Sequence, residues 1–195
     1  MPDALTLGFD TSAAHCAAAL LSGDRVIATR LEQMSKGQAE RLFPLLEELL
    51  ASANAQWRDL SLIGVGTGPG NFTGIRISVA AARGLALSLG IPAIGVSATE
   101  ALAFGLSRPC RIVIPGRRDQ AIWQDFGVGP SSPQQGEITS LPPGPPVADP
   151  IVTIAEGTAR IAREQADEPQ PRPAPLYLRP ADAAPSRERG PVMLP

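Results

Sequence analysis

The sequence predicts an α/β fold in which a β-hairpin stands where a first crossover helix would otherwise be. Three observations point to it. A short apolar run ending in an acid, "LTLGFD" at residues 5–10, is followed at once by a longer run that folds back at Ser22-Gly23-Asp24. The first helix-period pattern comes only after that hairpin. From there strand and helix patterns alternate, as expected for parallel strands joined by crossover helices.

Each element has its own signal. "HCAAALLSGDRVIATRLEQ" supplies the second and third strands around the Ser-Gly-Asp turn. A first helix is predicted over 37–53, with Ala39, Leu42, Phe43, Leu46, Leu49, Leu50 and Ala53 at helical spacing. Pro44 predicts a slight kink there or a later start. "LSLIGVG" is a fourth strand, and "GIRISVAAARGLALSLG" a second helix ending at Gly90. "PAIGVS" is a fifth strand, and "ATEALAFGLS" a third helix with Ser97 as N-cap. The order strand, strand, strand, helix, strand, helix, strand, helix is the unit of the actin-like ATPase (ribonuclease-H-like) fold. A Rossmann unit would need a helix directly after the first strand.

"CRIVIP" and "QAIWQDFGV" read as two further strands, as if the same unit began again. The next stretch, "GPSSPQQGEITSLPPGPPVADP", is hostile to regular structure. A short helix, "IAEGTARIAREQA", and another Pro-rich stretch follow. The expected organisation is a complete first domain over 1–107. A reduced second domain, with Pro-rich segments and a C-terminal tail, is expected over 108–195.

Composition narrows the function classes. The formal net charge of -2 offers no overall basic field for nucleic acid or anionic membrane. Cys16 and Cys110 are far apart and no CxxC occurs, so neither a zinc site nor a disulfide framework is signalled. The start, "MPDALTLGFDTS", lacks the basic and apolar regions of a signal peptide, which predicts a cytoplasmic protein with reduced thiols. The apolar stretch "AARGLALSLGIPAIGV" is broken by Arg83, Gly84, Gly90 and Pro92 and reads as too short to span a bilayer.

The most distinctive stretch is "GTGPGNFTGIR", from Gly66 to Arg76, between a strand and a helix. A Walker loop needs Lys-Ser/Thr after its last glycine, and Ile75-Arg76 follow Gly74. A dinucleotide fingerprint needs a third glycine where Asn71 stands. Two readings remain: a generic anion site at a helix N-terminus, or a structural turn seating the helix on the sheet. Residue types favour the second, with Gly66, Gly68, Gly70, Thr73 and Gly74 as its members. Gly68 and Gly70 flank Pro69, so one of them is expected at positive φ. Thr73 is expected as N-cap of a helix beginning near Gly74.

Few residues suit catalysis. Asp10 stands where actin-like ATPases hold Mg²⁺ and phosphate, so Asp10, Gly68 and Gly70 form the alternative cofactor site. The other reading of Asp10 is a strand-end acid bonding the turn of Thr11 and Ser12. His15 is the single histidine, which predicts a structural role and no rebuilt metal site. No GxSxG occurs, and a serine nucleophile would lack a base. No catalytic residue, cofactor or metal is expected.

Partner binding is better supported. The second helix carries Ile75, Ile77, Val79, Leu85, Leu87 and Leu89 around Ala80, Ala81, Ala82 and Gly84, so it is apolar on nearly every side. Such a helix is covered twice, on one side by its own sheet and on the other by the first helix or a partner, two coverings the residues alone leave equally open and between which the family resemblance below favours a partner; its small residues allow close helix approach. The expected contact residues are Glu40, Phe43 and Glu47 from the first helix, with Arg76, Ile77 and Ala81 from the second. Arg76 is expected to meet a partner carboxylate.

These residues also carry a family resemblance. "GPGNFTGIRISVAAARGLA" at 68–86 resembles the GPGSFTGxRxG…A-x-GLA signature of the bacterial TsaB (YeaZ) family. "LGFDTS" resembles its opening strand, "IPAIGVSATEALA" its later strand and helix, and "PLYLRPADA" at 175–183 its C-terminal motif. Two places depart from the pattern. Gln38-Ala39-Glu40 stands where the family often has His-Ser-Glu, and Pro115-Gly116-Arg117 where it usually has Asp-Ala-Arg. The resemblance implies a non-catalytic subunit, a pseudo-enzyme, of the complex that makes threonylcarbamoyladenosine on tRNA. It implies TsaD-type and TsaE-type partners, a homodimer when TsaD is absent, and tRNA contact only through the complex. The rival reading is an ATP-dependent phosphotransferase of the same fold, using Asp10 and the 66–74 turn.

Overall fold

The computed structural model describes residues 4–178. Five strands form the main sheet: β1 (Leu5–Asp10), β2 (His15–Ser22), β3 (Arg25–Gln33), β4 (Leu60–Gly66) and β5 (Ala93–Val96). Their order is β3-β2-β1-β4-β5. The hairpin strands pair antiparallel, and β4 and β5 add in parallel beside β1. This is the topology expected of the actin-like, ribonuclease-H-like fold.

Because side chains alternate along a strand, the sheet has two different faces. Leu7, Phe9, Ala18, Leu20, Ile63 and Val65 point to one of them. There they meet α1 (Gln38–Ser52), which buries Leu42, Leu45, Leu46, Leu49 and Leu50, and α2 (Phe72–Leu89). On the other face lie α3 (Ala98–Ala103) and α4 (Ile154–Glu164). Here the sheet offers Gly8 and Gly64, and α4 offers Ala155, Thr158, Ala159 and Ala162. A Cβ on Gly64 would sit 2.7 Å from the Thr158 carbonyl oxygen and 2.8 Å from the Ala162 methyl, so helix and sheet touch backbone to side chain.

Helix boundaries differ from expectation in instructive ways. Helix α1 starts at Gln38 and runs through Pro44, so the later start does not occur. Pro44 and Glu40 lie on the exposed side, where the carbonyl that Pro44 leaves without an N–H can be served by water. Helix α2 begins at Phe72, before the expected Gly74, and its N-cap is Asn71, not Thr73. Asn71 is extended and its side-chain oxygen accepts from the Gly74 N–H at 3.0 Å. Thr73 is already inside the first turn, too late to cap. Gly90 ends the helix in the left-handed conformation, and Ser97 caps α3 in a reciprocal box with Glu100. By length and composition alone α2, Phe72–Leu89, is apolar enough to cross a membrane, a different span from the stretch at 81–96 read in the sequence. It packs with one side on the sheet and core, at Ile75, Val79 and Ala82.

A second, antiparallel sheet contains β6 (Cys110–Pro115), β7 (Gln120–Phe126) and β8 (Gln134–Glu137). β8 falls in the stretch that composition marked as irregular. It is fixed by pairing Trp123 with Gln134 and by Gly136, which lies against the Trp123 ring. The Pro-rich segment after it is held by Arg111. That guanidinium grips Asp125 at 2.5 and 2.8 Å and donates to the Pro142 carbonyl at 2.7 Å. The chain then returns to the first sheet as α4. There α4 supplies the second layer of the first sheet.

Candidate functional site at the glycine-rich turn and the helix face

Strand β1 delivers Asp10 to the carboxyl edge of the sheet, fully buried. Its Oδ1 accepts from the Ser12 N–H at 2.8 Å and the Ser12 hydroxyl at 2.9 Å. The same oxygen lies 2.8 Å from His15 Nε2. Oδ2 has no hydrogen-bond partner among the described residues. It lies against Gly66, where any side chain would collide with it. The expected bond from Asp10 to its own turn is present. The link to His15 was missed, because the two residues were weighed separately. Their placement across the β1–β2 connection was the available signal.

The glycine-rich stretch is packed down on that same connection. Gly68 has φ +92°, which satisfies the expected positive φ. A side chain on Gly70 would strike the Ser12 carbonyl, and one on Gly74 the Thr11 carbonyl. Glycine is needed here because two backbones touch. Two of its donors are engaged as well. Asn71 N–H donates to the Ser12 carbonyl at 2.5 Å and Gly74 N–H to the Asn71 side chain. Thr11 and Ser78 hydroxyls hold the Gly74 and Gly66 carbonyls at 2.6 and 3.0 Å.

From the other side a segment near the C-terminus closes over the turn. Pro173 lies against Gly95, and Leu176 N–H donates to the Thr67 carbonyl at 2.8 Å. Tyr177 stacks on Phe72 with ring centroids 4.8 Å apart. Arg76 lies 3.8 Å above the Phe72 ring, and its Nε–H donates to the Tyr177 hydroxyl at 2.9 Å. Residues 179–183 of the C-terminal motif lie outside the described residues.

The proposed contact residues divide into two sets. Glu40, Glu47 and Arg76 are exposed, and Phe43 is 42% exposed beside Trp57. Ile77 and Ala81 are half-buried and pack partly against the leucine core. What α2 presents outward is Arg76, Ala80, Arg83, Gly84 and Leu87, the last 87% exposed. Nothing lies within 4 Å of a Cβ placed on Gly84. Neighbouring charges are tied down: Arg41 bridges Glu32 and Glu48 and holds both carboxyls below their ordinary range. Burial pushes the Cys16 thiol up to about 11, so it stays protonated at neutral pH. Among the described residues no three His, Cys, Asp or Glu side chains converge. A cavity of about 700 Å³, lined by Leu5, Ser22, Arg25, Ser52 and Asp59 among others, lies at the opposite edge of the sheet. It is remote from the turn.

Fold and site together define an actin-like α/β protein with a closely packed glycine-rich turn between β4 and α2. Comparison with known proteins places it more narrowly. The family described as "TsaD: tRNA N6-adenosine threonylcarbamoyltransferase" matches residues 31–132. Escherichia coli TsaB, a tRNA threonylcarbamoyladenosine biosynthesis protein, is 30% identical over 138 residues, 68% of this chain and 59% of that protein. Bacillus subtilis TsaB is 42% identical over 97 residues, 50% of this chain and 42% of that protein. An uncharacterised Mycobacterium tuberculosis protein is 30% identical over 178 residues, 82% of this chain and 83% of that protein. The solved YeaZ structure from Pseudomonas aeruginosa shares the fold, with a TM-score of 0.71 at 24% identity over 90% of this chain and all of that one. The chain belongs to the TsaB (YeaZ) family. It spans less than two thirds of the TsaB proteins named here.

Proposed function

We propose that this protein serves tRNA threonylcarbamoyladenosine biosynthesis as a non-catalytic, cytoplasmic subunit that docks its α1–α2 face onto a TsaD-type catalytic subunit. The observation that carries this reading is the outer side of α2. It is a strip of Ala80 and Gly84 ending at the exposed Leu87, with nothing within 4 Å of a Cβ on Gly84. Small residues at such a strip let a second helix pair approach closely. When the catalytic subunit is absent, the same face pairs with a second copy. A TsaE-type ATPase joins the assembly, and tRNA is met through the complex.

Two features support a scaffold over a phosphotransferase. The carboxylate that would hold Mg²⁺ is fully buried, and one of its oxygens, Oδ1, is taken by Ser12 and His15. Of the turn amides, those of Thr67, Asn71 and Gly74 donate within the chain. The role of the 66–74 turn is then to set the angle of α2 against the sheet. The test is Gly84→Glu, a change the open space around Gly84 tolerates. The variant is expected to melt like the parent and to lose binding to the catalytic subunit in titration calorimetry. Unchanged binding overturns the docking reading. ATP turnover by the purified parent, abolished by Asp10→Ala, overturns the non-catalytic reading.

A further inference from the structure

The Phe72–Arg76–Tyr177 cluster joins residues that no local motif connects. Phe72 and Arg76 are one turn apart on α2, whereas Tyr177 arrives from the other end of the chain. All three remain accessible: Phe72 and Tyr177 are each 37% exposed, and Arg76 is exposed. The guanidinium uses Nε on the Tyr177 hydroxyl and one face on the Phe72 ring. Its terminal amino groups make no hydrogen bond among the described residues. A long, rotatable side chain is thus held in one pose with its strongest donors free.

The surroundings indicate what those donors meet. Exposed charge on α2 is all positive, from Arg76 and Arg83, and the helix contains no acid. Exposed Glu40 and Glu47 on the adjacent α1 make no ion pair among the described residues. Unpaired acids on α1 thus stand beside bases on α2, a complementarity that a two-fold contact between copies could use. Tyr177 can hold its place because its segment is anchored independently, by the Leu176 bond to Thr67 and by Pro173 against Gly95.

We propose that Tyr177 is a positioning residue: carried on the docked segment 173–178, it holds Arg76 against Phe72 in the pose that meets a carboxylate of α1 from a second copy of this chain. This rests on the docking reading above. Fixing a flexible cation before association removes part of the ordering cost of the contact. Whatever releases the segment from Thr67 and Gly95 therefore also weakens association.

The test is sedimentation equilibrium of the full chain, comparing the parent, Tyr177→Phe, Tyr177→Ala, Arg76→Gln and the Arg76→Gln/Tyr177→Phe double variant. Tyr177→Phe keeps the ring stack and removes only the hydroxyl that accepts from Arg76. It is expected to weaken the dimer about threefold, and Tyr177→Ala about tenfold, at unchanged melting temperature for the Phe variant. In the Arg76→Gln background the Phe substitution is expected to have no further effect, a coupling that a purely structural tyrosine would not produce. If the parent dimerises and Tyr177→Phe dimerises equally well, the positioning role is overturned while the docking reading stands. If Tyr177→Phe weakens the dimer equally with and without Arg76, the role is likewise overturned. A parent that stays monomeric at high concentration overturns both.

Discussion

The two faces of the central sheet solve the same packing problem in opposite ways. Toward α1 and α2 the sheet presents Leu7, Phe9, Leu20, Ile63 and Val65, and α1 answers with five buried leucines. Toward α4 it presents Gly8 and Gly64 at the closest approach, flanked by Leu21 and Leu62, and the helix answers with alanines and a threonine. The thick layer keeps α1 and α2 away from the sheet and leaves their far sides as a broad outer surface. The thin layer locks α4 down and ties the C-terminal part of the chain to the first sheet. Closeness on one face fixes the architecture, and thickness on the other exposes the helix pair that we propose docks a partner.

The comparison breaks most readily on the thin face. Gly64→Val drives two methyl groups into the α4 backbone at Thr158 and the Ala162 methyl. It is expected to destabilise by about 4 kcal/mol or more, since no flexible side chain can yield. Chemical denaturation with a tryptophan signal measures it, and a loss below about 1 kcal/mol would show that α4 can lift away freely. On the thick face Leu46→Ala is expected to cost about 3 kcal/mol, because neighbouring leucines relax partly into the gap. A cost exceeding that of Gly64→Val would reverse the ranking of the two faces.

Smaller effects sharpen the picture at the turn and on the surface. Asn71→Ala removes the side-chain oxygen that caps α2, and about 1 kcal/mol is expected to be lost. Thr73→Ala, at the position expected from sequence to be the cap, should change the melting midpoint much less. Equal losses at both positions would mean that α2 starts where the sequence reading placed it. Leu87→Ala lies on the far side of the thick layer, 87% exposed, and is expected to alter stability by no more than about 0.5 kcal/mol. Measured stability loss well above that would show that Leu87 is covered within the chain, leaving no free outer strip on α2.

Much of this was legible in the residues. The hairpin after β1, the strand–helix alternation, the Ser97 cap and the Gly90 stop all rest on short-range chemistry, and each appears as expected. The first helix's core residues were legible as a period, yet Leu45 was not singled out, since its inward direction depends on how α1 rolls on the sheet. That Ile77 and Ala81 pack partly against the leucine core was not legible for the same reason: phase on an all-apolar helix cannot be read from hydrophobicity. At the turn, the need for glycine was legible, but what each glycine avoids was not, because Asp10, Thr11 and Ser12 approach from another strand.

The sequence by itself determined the class of fold, the position of the glycine-rich turn and its failure to match any phosphate-loop pattern, since these depend on neighbours along the chain. Only the tertiary structure decided that Asp10 pairs with His15, that α4 completes the first sheet and that Tyr177 holds Arg76. Residue pairs 5, 101 and 139 positions apart, such as Asp10 with His15, Arg76 with Tyr177 and Asp24 with Arg163, are brought together by chain topology. No local periodicity or turn preference encodes the two long-range meetings; they arise because the close-packed sheet and helices leave each segment one place to lie.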